Sequence, residues 1–243
     1  NSMNLYNVKR ASQALATYIK QSGGADKGVV IGYDSRNMSV EFADAATQVL
    51  CANGIKTYLF DILCPVPLLS FAVRHLNCAA GVEITASHNP AQYNGYKVYA
   101  SYGGQLAPEG CNRIMDLMNK IQGTADITDM PLDAAKQSGH FQSIGAGVLD
   151  LYIEGLAGLL SKQAIAGKED LSIVYTPLHG TGNVPVQRIL QRAGFQNIHV
   201  VKQQQQPDGD FPTVAAPNPE EPSALELALD DARRSDADDC NIY

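Results

Sequence analysis

Ser87, His88 and Lys97 lie close together in GVEITASHNPAQYNGYKVY, residues 81–99, and each has a side chain suited to group transfer. A serine oxygen carries either an acyl or a phosphoryl group once something activates it. The acyl case wants the G-x-S-x-G turn between a strand and a helix, but here Thr85-Ala86 and His88-Asn89 flank the serine and strand-like residues follow. His88, as the immediate neighbour, is also badly placed to be the base for Ser87. The phosphoryl case fits better. A phosphoserine brings roughly −1.5 to −2 charges and needs backbone N–H groups, cations and a metal around it. His88 and Lys97 supply positive character, while Asn89-Pro90 and Asn94-Gly95 hold a tight loop. A lysine beside other cations, or partly desolvated, becomes a usable general acid or base, which gives Lys97 a role. The same residues would also serve a plain turn, with Ser87, His88 and Asn89 as caps and Lys97 as a solvated strand residue.

Two further stretches sit where open α/β sheets bind ligands, at the end of a strand and before a helix. Gly32-Tyr33-Asp34-Ser35-Arg36 offers Arg36 to an anion or to a surface ion pair. Tyr175-Thr176-Pro177-Leu178-His179-Gly180-Thr181-Gly182-Asn183 reads as strand, glycine loop and helix, without Walker A or G-x-G-x-x-G spacing, so a tight βα turn explains it equally well. Asp208-Gly209-Asp210 lacks the other ligand positions of a calcium loop and reads as a turn.

The elements that must position these residues alternate in period. Apolar spacing predicts a helix over 4–21 ending at Gly23-Gly24, then a buried strand at 28–33. Ser39 is the expected N-cap of a helix to Ala52, followed by a strand at 55–60. A helix at 66–76 leads into the strand 81–85, a shorter strand follows at 95–99, and Pro108 opens a helix to about Ile121. Periodicity fades from Gly123 to Gly147, which places a domain connection at 139–147. Beyond it the grammar repeats: helix 148–163, strand 171–175, helix 184–193, strand 197–201, an irregular loop 203–222, helix 223–235 and the opening of a strand at 239–243. The expected fold class is α/β: a layered α/β/α domain with a mixed sheet over residues 1–144, then an incomplete second domain of the same type over 145–243.

Composition limits the function classes. With 243 residues, 45% of them hydrophobic and 18% charged, the chain is globular, and no apolar run approaches the roughly 18 residues that would span a bilayer. A net charge of −7 gives no electrostatic footprint for nucleic acid or for an anionic membrane, so neither is an expected partner. Five cysteines without a CxxC pair read as reduced thiols and a cytoplasmic setting, and the Asn37-Met38-Ser39 acceptor pattern carries no weight without a signal peptide.

Taken together and in order, the motifs resemble one family. Thr85-Ala86-Ser87-His88-Asn89-Pro90 is similar to the phosphoserine loop of the α-D-phosphohexomutases, the phosphoglucomutase and phosphomannomutase enzymes. Gly32–Arg36 resembles their upstream strand-end motif, and Thr176–Gly182 the first loop of their second domain. Pro207-Asp208-Gly209-Asp210-Phe211-Pro212 with Pro217-Asn218-Pro219-Glu220 looks like the phosphoglucomutase and phosphopentomutase-like branch. The resemblance spans essentially the whole chain. It implies that Ser87 carries the phosphoryl group, that Lys97 is the general acid or base at the sugar hydroxyl, and that His88 and Arg36 assist near the transferring phosphoryl. It further implies Mg2+ bound through the phosphate on Ser87, a sugar phosphate as substrate, and glucose 1,6-bisphosphate or a similar bisphosphate as activator. The family's glycine and arginine segment before the first helix, its Asp-rich metal loop and its third and fourth domains have no counterpart in the chain. The expectation is therefore the N-terminal part of a mutase, inactive alone, whose partners include those C-terminal domains; the other reading is a non-catalytic relative that binds sugar phosphates or protein partners.

Overall fold

Val29-Val30-Ile31-Gly32-Tyr33, largely apolar and preceded by Gly28, forms β1 (Val29–Tyr33), the centre of the larger sheet in the computed structural model, which describes residues 3–159, 167 and 170–234. The chain divides into two units. The first holds Asn1–Asp34, Met38–Ala86 and Tyr93–Val148, and the second holds Ser35–Asn37, Ser87–Gln92 and Leu149–Tyr243.

The first unit runs α1 (Leu5–Gln21), β1, α2 (Ser39–Ala52), β2 (Thr57–Phe60), α3 (Val66–His75), β3 (Ala80–Ile84), β4 (Tyr96–Ala100), α4 (Pro108–Asn119), α5 (Leu132–Gln137) and β5 (Phe141–Ile144). Its sheet has the order β4-β3-β1-β2-β5, parallel throughout except for β4, which runs antiparallel to β3. Because side chains alternate across a strand, each strand feeds two layers. Val29 and Ile31 of β1, Val82 and Ile84 of β3 and Val98 of β4 enter one core with Leu15 and Ile19 of α1, Phe42 and Leu50 of α2 and Ile114 of α4. On the opposite face Gly81 lets α3 approach, since a Cβ there would stand 2.7 Å from Val73 Cγ2. The result is the expected α/β/α layering with a mixed sheet.

Two expectations need correction here. Ser39 does not cap α2; Met38 holds the cap position at φ 67°, and Ser39 is the first helical residue. Its hydroxyl is engaged elsewhere, donating to Asp34 Oδ1 at 2.8 Å and accepting from Asn94 Nδ2 at 2.9 Å. The segment read as a connection, 139–147, contains β5, which pairs with β2 from Thr57↔Phe141 to Phe60↔Ile144. Four residues with a half-exposed FQSI pattern give too little periodicity to stand out in sequence.

The second unit contains α6 (Ala146–Leu159) from Leu149 onward, β6 (Ser172–Tyr175), α7 (Asn183–Ala193), β7 (Asn197–Val200), α8 (Lys202–Gln205) and α9 (Glu226–Arg234). β6 and β7 are parallel, joined by α7, and Val174 and Val201 pack with Ala228 and Ala232 of α9. Gly194 ends α7 at φ 95°, a left-handed exit suited to glycine. The single turn α8 interrupts the loop expected to be irregular over 203–222. The end of the helix expected over 148–163 and the strand expected at 239–243 lie outside the described residues.

Candidate active site

Strand β3 ends at Ile84, and the chain then turns through Thr85-Ala86-Ser87-His88-Asn89-Pro90. Ser87, His88 and Asn89 are exposed, and Ser87 holds φ 57°, a left-handed backbone that non-glycine residues seldom adopt. Such a conformation persists only where neighbours over-determine it.

Arg36 is one of those neighbours. Only 3% exposed, its guanidinium donates to Ser87 O at 2.7 Å, to Pro90 O at 3.0 Å and to Asn89 O. The planar fork suits three carbonyls at fixed positions, and each hydrogen bond from a charged donor is worth about 1.5–3 kcal/mol. The ring of Phe211 closes the stack, its centroid 5.0 Å from the guanidinium carbon. Arg36 thus grips the backbone of the serine loop.

The three other motif stretches meet around the same arginine. Asn37 Nδ2 donates to Asp210 Oδ1 at 2.6 Å, and Asp210 N–H donates to Asp208 Oδ1 at 2.9 Å, so the Asp208-Gly209-Asp210 turn uses its carboxylates to fix backbone and an asparagine. Gly209 lies so near that a Cβ would stand 2.5 Å from Asn37 N. Ser35 Oγ donates to His179 O at 2.8 Å. His179, buried at 3% exposure, has Nδ1 3.0 Å from Gln206 O and Nε2 2.9 Å from Thr213 Oγ1. A carbonyl only accepts, so Nδ1 carries a hydrogen; the Thr213 hydroxyl meets Nε2 and accepts from Gln204 Nε2 at 3.1 Å. His179 and Leu178, at φ 59° and 47°, and Phe211 at 48° repeat the left-handed backbone of Ser87.

Of the residues singled out in sequence, Arg36 and Ser87 come together in the second unit, with His88 beside Ser87 on the loop, and Lys97 belongs to the first. Lys97 is half-buried on β4 and pairs in register with Glu83 of β3, which in turn pairs with Gly32 of β1. Glu83 is 1% exposed, and neither of its carboxyl oxygens has a hydrogen-bond partner. Burial, then the charge of Asp34, push its carboxyl well above the ordinary range, and Lys97 pulls it back only in part. Glu83 and Thr213 are not among the residues singled out in sequence, and Phe211 is there only as part of the Pro207–Pro212 motif. An acid in the middle of the buried strand GVEIT was a usable signal for Glu83; nothing local marks Thr213.

The comparisons with known proteins agree with this assembly of motifs. The description phosphoglucomutase/phosphomannomutase, alpha/beta/alpha domain I, matches residues 1–125, and domain II of the same enzymes matches residues 150–242. The chain belongs to the phosphoglucomutase/phosphomannomutase family. A Haemophilus influenzae protein named "Probable phosphomannomutase" is 39% identical over 241 residues, which is 97% of this chain and 47% of that protein. A phosphoglucomutase of Staphylococcus haemolyticus is 36% identical, over 97% of this chain and 42% of its own length. Among solved structures, a phosphomannomutase-like protein of Thermus thermophilus superposes with a TM-score of 0.79 at 27% identity, covering 95% of this chain and 48% of that one. The chain therefore spans about half the length of the relatives it matches.

The phosphohexomutase family generally uses Mg2+. Among the described residues no group of three His, Cys, Asp or Glu side chains is placed to hold a metal ion, so a phosphate on Ser87 would supply one ligand and no full set accompanies it. Among the described residues no helix is long and apolar enough to cross a membrane.

Proposed function

We propose that this chain is the N-terminal part of a phosphosugar mutase that moves a phosphoryl group between C1 and C6 of a hexose phosphate, with domains over 1–144 and 145–243. The observation that carries the reading is the buried Arg36 fork on the carbonyls of the serine loop, which holds an exposed serine in a strained, reproducible place. A plain turn has no need of a buried guanidinium.

In the first half-reaction the bond between phosphorus and Ser87 Oγ breaks as a sugar hydroxyl bonds to phosphorus, and Lys97 takes the hydroxyl proton as general base. The bisphosphate then turns over. Ser87 Oγ accepts the second phosphoryl, and Lys97 returns the proton to the departing sugar oxygen. His88, exposed beside Ser87, offers a hydrogen-bond donor to the phosphoryl oxygens, and Arg36 assists by fixing the loop. Magnesium would neutralise charge on the transferring phosphoryl, its remaining ligands coming from outside the described residues. A bisphosphate such as glucose 1,6-bisphosphate would load Ser87. The described cysteines, Cys51, Cys64, Cys78 and Cys111, are all free thiols, in keeping with a cytoplasmic enzyme.

Intact mass and peptide mapping of the full-length protein, after incubation with glucose 1,6-bisphosphate and magnesium, test this. A phosphate on Ser87 that disappears in Ser87→Ala is the expected result. A folded full-length protein that stays unmodified with several sugar bisphosphates would instead favour a binding relative.

A further inference from the structure

Gly32, Glu83 and Lys97 are register neighbours across β1, β3 and β4, and their side chains share one face of the sheet. It is the face covered by α3, because Gly81, two residues before Glu83, lies under Val73 and Leu69. The missing side chain of Gly32 leaves a slot: a Cβ there would stand 2.6 Å from Glu83 Oε2 and 2.9 Å from Cys64 Sγ. The Glu83 carboxyl fills that slot. Both its oxygens are buried without a hydrogen bond, an expensive arrangement for a carboxylate and a tolerable one for a neutral acid.

We propose that Glu83 is a positioning residue for Lys97: lodged in the slot that Gly32 leaves open, its carboxyl sets whether the amine across the strand pair keeps its proton. This role rests on the reading of Lys97 as the general acid or base. The charged and titratable groups around Glu83 are few. Asp34 faces it from the end of β1, Cys64 from the segment after β2, and Lys97 and Tyr99 from β4, while α3 carries no ionisable side chain before Arg74 and His75 in its last turn. Lys97 is therefore the cation among these groups, and it draws the Glu83 carboxyl back toward ionisation. Coupling between two titrating groups is reciprocal. An ionised Glu83 must hold the ammonium form of Lys97 to the same extent, whereas a protonated Glu83 leaves the amine free to accept a proton from a sugar. The burial of Glu83 extends the pH range in which it is protonated, and with it the range in which Lys97 works as a base.

The test is competitive acetylation with trace acetic anhydride across the pH range, read at Lys97 by peptide mass spectrometry, in the full-length protein and in Glu83→Gln. The amide is neutral at every pH, so in this variant Lys97 should become reactive about one pH unit lower than in the unsubstituted protein. Equal midpoints, or a shift upward, would overturn the proposal, because a carboxyl that only fills space leaves the midpoint where it was. Should Glu83→Gln fail to fold, the reciprocal measurement decides: the 13C carboxyl resonance of Glu83 should titrate about one unit higher in Lys97→Met, and an unmoved resonance overturns the coupling. Neither readout requires turnover. The mutase reading stands or falls separately, by the phosphate on Ser87.

Discussion

The guanidinium of Arg36 donates to the carbonyl oxygen of Ser87 at 2.7 Å, across 51 positions of sequence. The contact joins the turn between β1 and α2 to the turn between β3 and β4, and it fixes the main chain of Ser87 while the residue itself stays exposed. Arg36→Ala strands three carbonyls at once. The expected outcome is a loss of about 2–4 kcal/mol in stability and at least a tenfold fall in the rate at which Ser87 takes up phosphate from a sugar bisphosphate. Arg36→Lys keeps the charge but not the fork, and should recover less than half of the lost stability. Urea melts and phosphopeptide time courses measure the two effects; an Arg36→Lys protein that loads Ser87 at the normal rate would contradict the account.

Gly209 gives a sharper steric test. A Cβ at this position meets the backbone nitrogen of Asn37 at 2.5 Å, and backbone cannot step aside as a flexible side chain can. Gly209→Ala should therefore cost about 1–3 kcal/mol and disturb the Arg36 grip through its neighbour, visible as a lower urea midpoint together with slower phosphorylation of Ser87. Gly123→Ala, where nothing lies within 4 Å, is the matched control.

Glu83 makes stability depend on pH, with a sign that follows from its burial. Its folded carboxyl holds a proton well above the ordinary range, so below the unfolded value both states are protonated and the native state has no handicap. As pH rises past that point the unfolded chain ionises first and gains on the native state, until Glu83 ionises in the fold as well. Glu83→Gln removes this drift. Comparing urea midpoints of the two proteins from pH 5 to pH 8, the variant should gain on the unsubstituted protein by up to about 1.4 kcal/mol per pH unit. A constant gap would mean that Glu83 is ionised in the fold.

The thiols should separate by reactivity. Cys111 is exposed, whereas burial pushes the Cys78 thiol up to about 12 and the enclosed Cys64 thiol well above its ordinary value. At pH 8 iodoacetamide should label Cys111 within minutes and leave Cys51, Cys64 and Cys78 unmodified until urea is added. Prompt modification of Cys64 in the native protein would show that the slot beside Glu83 opens.

Much of this was legible in the residues. The strands Val29–Tyr33 and Ala80–Ile84 and the helices α1, α4 and α7 announce themselves by period and by punctuation, because burial on one or both faces imposes a pattern along contiguous chain. Ser39 misled for a physical reason: a serine before a helix is the usual cap, yet its hydroxyl here bonds the side chains of Asp34 and Asn94, the latter 55 residues away. β5 was lost in a glycine-punctuated stretch. Arg36 was legible as a candidate for an anion or an ion pair but not in its geometry, since whether a guanidinium meets a phosphate or three carbonyls depends on which loops the fold brings to it. Lys97 stands out in sequence as a lysine near other cations in a motif that resembles a mutase loop, while the identity of its cross-strand neighbour emerges only with the register Glu83↔Lys97.

The membership of the serine loop has a consequence for anyone who recombines these proteins. Residues 35–37 and 87–92 are threaded through the first half of the sequence but group with the second unit, where Asp210, Phe211 and His179 meet Asn37, Arg36 and Ser35. A cut at the boundary near residue 145, sensible from the sheet alone, separates Ser87 and Arg36 from Asp210, Phe211 and His179, which hold the Ser35–Asn37 stretch in place. Chimeras between relatives should carry 35–37, 87–92 and 176–213 from one parent; those that mix them would inherit a serine that is present in the sequence and misplaced in the fold.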